Sequence, residues 1–124
     1  MIEFYTSYFG NYKNIPQEYQ CFSIANSRPS GINIPRLEEA IPKWSYVKSF
    51  KSNEISWQLF HDMYLNQLIQ KHYNFDFEER LSKYDTKLVF LCWEKDVNKC
   101  HRSIFARYLE KFYVFKYLGE LWYF

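Results

Sequence analysis

The stretch "KLVFLCW", Lys87 to Trp93, restricts the fold more than any other. It is apolar almost without a break, rich in β-formers and too short for a core-spanning helix. A run of that kind predicts a strand buried on both faces, as the inner strands of a parallel sheet are. Parallel neighbours need crossover connections, so the rest of the chain should alternate strands with helices.

The flanking sequence supplies them. "IEFYTSY", Ile2 to Tyr8, alternates apolar and polar residues and predicts a first strand. "FGNYKNIP" is a short connection with room for one helical turn at most. "YQCFSIA", Tyr19 to Ala25, predicts a second strand, stopped by the turn formers of "NSRPSG". Pro35 and Pro42 punctuate residues 32–52, which predicts irregular structure with one short helix around Arg36 to Ala40. From about Asn53 to His72, Phe60, Met63, Tyr64, Leu68 and Ile69 recur at helical spacing. Asp76 followed by Glu79 has the form of a capping box and predicts a short helix from Phe77 to Lys83. A long helix is expected from about Cys100 to Leu118, with Ile104, Phe105, Tyr108, Leu109, Phe112 and Phe115 as its apolar stripe. The layout predicts one domain over residues 1–124. Its expected architecture is α/β: a small, mostly parallel sheet with helices packed on it, in a Rossmann-like three-layer arrangement.

Composition narrows the function classes. Twelve Tyr and twelve Phe mean a core built of large rings. A formal charge of +2 is too small to argue for nucleic acid by itself. Three cysteines, an odd number, and no signal-peptide pattern point to a reducing cytoplasm. No apolar run approaches the roughly twenty residues that span a bilayer, so no membrane partner is expected.

In α/β sheets ligands bind beyond the carboxyl ends of the strands, and two polar clusters fall there. One is "NSRPSG", with Ser27 and with Arg28 able to grip a phosphate or carboxylate. The other is "CWEKDVNKCHR". Cys92 and Glu94 are two apart in an extended segment, so they share a face. Asn98 is placed as an N-cap, with Cys100 and His101 in the first helical turn, where free N–H groups and the helix dipole attract anions and lower a thiol's pKa. Several readings stay open. Cys100 can be a nucleophile with Glu94 or His101 as base. Cys92, Cys100 and His101 can bind zinc, which the spacing disfavours because Cys100 and His101 are adjacent, so no metal and no cofactor are expected. Arg102 and the helix start can hold a phosphate, with the cysteines as packing residues. The cluster can also be structural, with Glu94 and Arg102 as a buried ion pair. Cys92 and Cys100 can form a redox pair, but they lack the usual Cys-x-x-Cys spacing, and both are expected to be reduced. Tyr5 and Ser7, near the end of the first strand, are candidates to line the same crevice. His61 and His72 read as structural. Lys43, Trp44 and Lys51 mix base and aromatic as nucleic-acid binders do.

The segment "LVFLCWEKDVNKCHRSIFARYLEK" resembles the C-terminal signature of the domain-of-unknown-function family numbered four-eight-eight: an apolar strand, Cys-x-Glu, a short polar loop, then Cys-His-Arg opening a helix. The matching positions are Cys92, Glu94, Cys100, His101 and Arg102. "FYTSYFGNYKNIP" and "SIANSRPSG" resemble the start of its short branch, and "PKWSYVKSFK" and "FHDMYLNQLIQ" its middle. The longer members carry segments before the final motif that this chain lacks, which puts a substrate lid in doubt. The resemblance names no reaction; it implies a functional role for Arg28, Glu94, Cys100, His101 and Arg102. The combined expectation is an enzyme-like pocket for an anionic, phosphate-bearing ligand, a nucleotide or nucleic-acid end. Glu94, Cys100 and His101 would act on the ligand, and Arg28, Arg102, Ser27, Tyr5 and Ser7 would bind it. The alternative is a non-catalytic nucleic-acid or protein binding module.

Overall fold

The computed structural model describes residues 1–121. Four strands form one sheet: β1 (Ile2–Tyr8), β2 (Gln20–Ser23), β3 (Leu88–Cys92) and β4 (Phe115–Glu120). Their order is β2-β3-β1-β4 and every pairing is parallel. All five residues of β3 are buried, as an inner strand of a parallel sheet requires. The architecture is α/β, in agreement with the sequence.

The helices are α1 (Trp44–Lys51), α2 (Trp57–His72), α3 (Phe77–Leu81) and α4 (His101–Phe112). Ser56 caps α2 by accepting from the Leu59 N–H, and Asp76 caps α3 by accepting from the Glu78 N–H. Phe60, Tyr64 and Leu68 lie buried along α2. Ile104, Phe105, Tyr108 and Leu109 lie buried along α4. The core is mostly aromatic. Phe90 on β3 sits among Phe4, Phe22 and Phe105, with ring centroids 5.5, 6.0 and 5.0 Å away.

Three local expectations are corrected. Residues 32–52 are not irregular throughout. A 3-10 turn at Glu38–Ala40 is followed by a full helix, α1. Pro42 does not prevent it, because it lies before the N-cap residue Lys43 and gives up no helical hydrogen bond. The last helix ends at Phe112 rather than continuing to Leu118. Residues 115–120 instead pair with the edge of β1, where Phe115 and Tyr117 pack on Phe4. The expected cap at Asn98 moves: Asp96 caps a 3-10 turn, Val97–Lys99, and Cys100 is the N-cap of α4.

β4 also carries a bulge. Phe4 pairs with Tyr117, but Thr6 pairs with Glu120, so one extra residue is absorbed. Gly119 takes φ +98° there, a conformation that L side chains rarely adopt. The kink brings the Glu120 side chain into contact with Thr6 and Arg102.

Phe90→Ala is expected to destabilise the fold by about 3–5 kcal/mol, because a fully buried ring is removed from a site walled by three others. Urea unfolding followed by far-UV circular dichroism measures it. A loss under about 1 kcal/mol would contradict the close packing described above.

Candidate functional site

The carboxyl ends of β2 and β3 and the start of α4 open into a crevice of about 730 Å³. Its walls come from five places. The turn after β2 gives Ala25, Asn26 and Ser27, and the turn after β3 gives Trp93 and Glu94. Helix α1 gives Trp44, Val47, Phe50 and Lys51, a spacing of three and four that puts all four on one face. Helix α2 adds Trp57 and Phe60. Lys99, Cys100 and His101 complete the lining at the start of α4.

Buried polar contacts hold these walls. The side chain of Gln67 on α2 donates to the Ile41 carbonyl at 2.8 Å and accepts from the Lys43 N–H at 3.0 Å. The Tyr64 hydroxyl donates to the Ala40 carbonyl. Together they fix the chain where α1 begins. Asn53, with φ +62°, turns the chain from α1 toward α2. Phe50 and Trp57 then meet at 5.4 Å between centroids. Across the crevice the Trp93 indole N–H donates to the carbonyl and hydroxyl of Ser27, at 3.0 and 3.1 Å, tying the two strand-end turns together.

The structure sorts the sequence candidates. Ser27, Glu94, Cys100 and His101 converge on the crevice. Arg28 lies beside it, exposed, in a neighbouring hollow that shares Asn26 and Ser27 and is also lined by Arg36. One Arg28 nitrogen donates to the Ile34 carbonyl at 2.6 Å. Tyr5 does not reach the crevice; it stacks on Tyr19. Ser7 is buried and donates to the Leu121 carbonyl at 3.2 Å, while accepting from the Asn11 amide.

Arg102 is not an anion-binding fork. It is fully buried, and its donors are taken. Nε and Nη2 grip the two carboxylate oxygens of Glu120 at 3.0 and 2.8 Å. Nη2 also donates to the Lys95 carbonyl at 3.0 Å, and Nη1 donates to the Glu94 carbonyl and to Cys92 Sγ. The buried ion pair is therefore real, but its acid is Glu120. The Glu94 carboxylate instead faces the crevice and meets Lys51 Nζ at 3.2 Å. Nothing in the sequence singled out Glu120, because it lies just past the expected helix, in a stretch with no motif or period of its own. Trp57 and Trp93 went unremarked for the opposite reason, looking like ordinary core rings.

Two further expectations change. Cys92 and Cys100 are joined as a disulfide, where thiols were expected. The three potential ligand atoms of Cys92, Cys100 and His101 lie within 4.8 Å of one another, so the spacing argument against a cluster fails. Cys100 is the N-cap of α4 and His101 its first residue, and Cys100 Sγ lies 4.0 Å from His101 Nδ1.

His101 is electrically quiet. Its Nε2–H donates to the Ile24 carbonyl at 2.5 Å, leaving Nδ1 facing Cys100 Sγ at 4.0 Å. Burial, aided by the charges of Arg102 and Lys51, pushes its pKa down to about 4. The ring is neutral at pH 7. The third cysteine, Cys21, is remote from the crevice lining, and burial pushes its thiol up to about 11.

Comparison with known protein families gives a match. The family model described as Domain of unknown function DUF488 matches residues 26–109, more than half of the chain. No curated protein and no solved structure matches.

Arg102→Ala strands the Glu120 carboxylate in the interior. It is expected to cost roughly 3–5 kcal/mol of unfolding free energy. Chemical denaturation with and without added phosphate reads both the size and its cause. A small loss accompanied by a vanished phosphate effect would return Arg102 to the crevice.

Proposed function

The chain belongs to the DUF488 family, and on that premise we propose that the crevice binds a flat, anionic ligand, a nucleotide or the end of a nucleic-acid strand. One observation carries this reading. Three tryptophans, Trp44, Trp57 and Trp93, line the same space as two lysines, Lys51 and Lys99. Indole faces stack on bases of any sequence, at about 1–3 kcal/mol per base. The lysine ammoniums attract phosphate. The crevice volume falls in the range of small-molecule sites, about 300–1,000 Å³.

The neighbouring hollow favours a strand end over a single nucleotide. It continues from Asn26 and Ser27 to Arg28 and Arg36 and offers about 500 Å³ more. A base held among the tryptophans can therefore pass its following phosphate toward Arg28.

Binding is better supported than chemistry. The ring nitrogens of His101 face Ile24 and Cys100, and Cys100 is bonded to Cys92. That leaves Glu94 as the acid–base group, with Lys51 as its counter-ion. In this reading an arriving phosphate takes Lys51 over, frees the carboxylate, and sets Glu94 against the ligand. Cys100 and His101 form the floor beneath it.

Anisotropy of a fluorescently labelled short single-stranded oligonucleotide tests the proposal. Saturable binding is expected to weaken with salt, since phosphate contacts release counterions. Trp44 is 55% exposed, so Trp44→Ala should leave the fold intact and weaken binding roughly 5- to 150-fold. Lys51→Ala should flatten the salt dependence. No saturable binding by the folded wild type, to either oligonucleotide or mononucleotide, would sink the reading.

A further inference from the structure

We propose that, in its dithiol form, the cluster of Cys92, Cys100 and His101 is a zinc site whose fourth position opens into the crevice. The inference stands on different atoms from the stacking site and does not depend on it.

The donor set is the first argument. Two thiolates and one imidazole suit a tetrahedral, borderline-soft ion such as Zn²⁺. Their ligand atoms already lie within 4.8 Å of one another.

The backbone is the second. The Cα atoms of Cys92 and Cys100 are 7.4 Å apart. Disulfides commonly span about 4.4–6.8 Å between Cα atoms. Two Zn–S bonds of about 2.3 Å at a tetrahedral angle hold the sulfurs roughly 3.8 Å apart, well beyond a disulfide's length. A wider Cα spacing suits that arrangement. Both residues sit on well-anchored elements, the last position of β3 and the N-cap of α4, so the spacing is built into the sheet and helix.

The outer contacts are the third. A histidine that binds a metal usually donates its other ring N–H to a carbonyl or carboxylate, which fixes the tautomer. His101 does this through Nε2–H to Ile24, and its free Nδ1 faces Cys100 Sγ. Arg102 Nη1 lies 3.2 Å from Cys92 Sγ and donates to it. That contact favours a thiolate. Cys92 is fully buried, while Cys100 and His101 line the crevice. An ion held by all three therefore faces the crevice on its remaining side.

The balance is simple. A phosphine reductant supplies two electrons, water supplies two protons, and the disulfide opens to two thiols. Binding of Zn²⁺ then releases those two protons as the thiolates ligate.

Protein purified without chelator, reduced with a phosphine and titrated with Co²⁺ or Zn²⁺, tests the site. One ion per chain is expected, with sulfur-to-cobalt charge-transfer absorption and the intense visible bands of a tetrahedral cobalt centre. Cys92→Ser, Cys100→Ser and His101→Ala should each weaken binding by more than the roughly 10–100-fold that loss of an outer contact costs. Cys21→Ser should leave it unchanged. If the ligand variants do not fold, alkylation of the wild type decides: zinc should protect Cys92 and Cys100 together. The proposal is overturned if the reduced wild type shows no thiolate charge transfer, if the cobalt spectrum survives Cys100→Ser, or if the two sulfurs stay joined after reduction.

Discussion

The guanidinium of Arg102, without access to water, is the contact on which the local architecture depends. It accepts no compromise, because a buried charge left unpaired is strongly destabilising. Arg102 sits on α4, and its partners come from three other segments: the end of β3 through Cys92, the following turn through the carbonyls of Glu94 and Lys95, and β4 through Glu120. The same side chain therefore holds the turn that presents Glu94 and the helix start that presents Cys100 and His101. Arg102 positions the crevice without entering it. A fixed planar fork suits this role in a way that lysine, a compact point charge, would not.

The crevice is shaped by what a parallel sheet leaves open. Strand ends finish together on one side, and the turns that leave them must carry polar groups there. Here two of those turns are tied by the Trp93–Ser27 contact, and a helical hairpin of α1 and α2 leans over them. None of the residues of α1 is fully buried. An eight-residue helix in that position gains little from its own hydrogen bonds. Its face bearing Trp44 and Phe50 forms one wall of the crevice.

Much of this was legible in the sequence where pattern and environment agreed. The apolar run of β3, the helical period of α2 and the turn formers after β2 each have one physical solution, and each adopts it. The failures lie where tertiary context overrode a local period. Phe112 and Phe115 are three apart and continue a helical stripe, but the unpaired edge of β1 captures Phe115 as a strand residue. Pro35 and Pro42 read as breakers, yet Pro42 only precedes the helix it was expected to prevent. Among the candidate residues, Ser27, Glu94, Cys100 and His101 line the crevice, because the turns beyond the strand ends and the start of α4 meet there. Arg102 was found for the wrong reason. Its charge drew attention, but its acid lies beyond a bulge that no periodicity announces.

The placement of β1 has a kinetic meaning. The first strand of the chain occupies an inner position, and both of its neighbours, β3 and β4, come from the far part of the sequence. Until those segments arrive, β1 has no partner on either side. The loop closures that join them must be completed before any sheet hydrogen bond rewards them, which slows the formation of such topologies. During that interval "LVFLC" is exposed as a bare, uncharged β-forming segment. Refolding of this chain should therefore be governed by concentration as much as by temperature, with encounter between two unfolded copies competing against the search of one copy for its own edge.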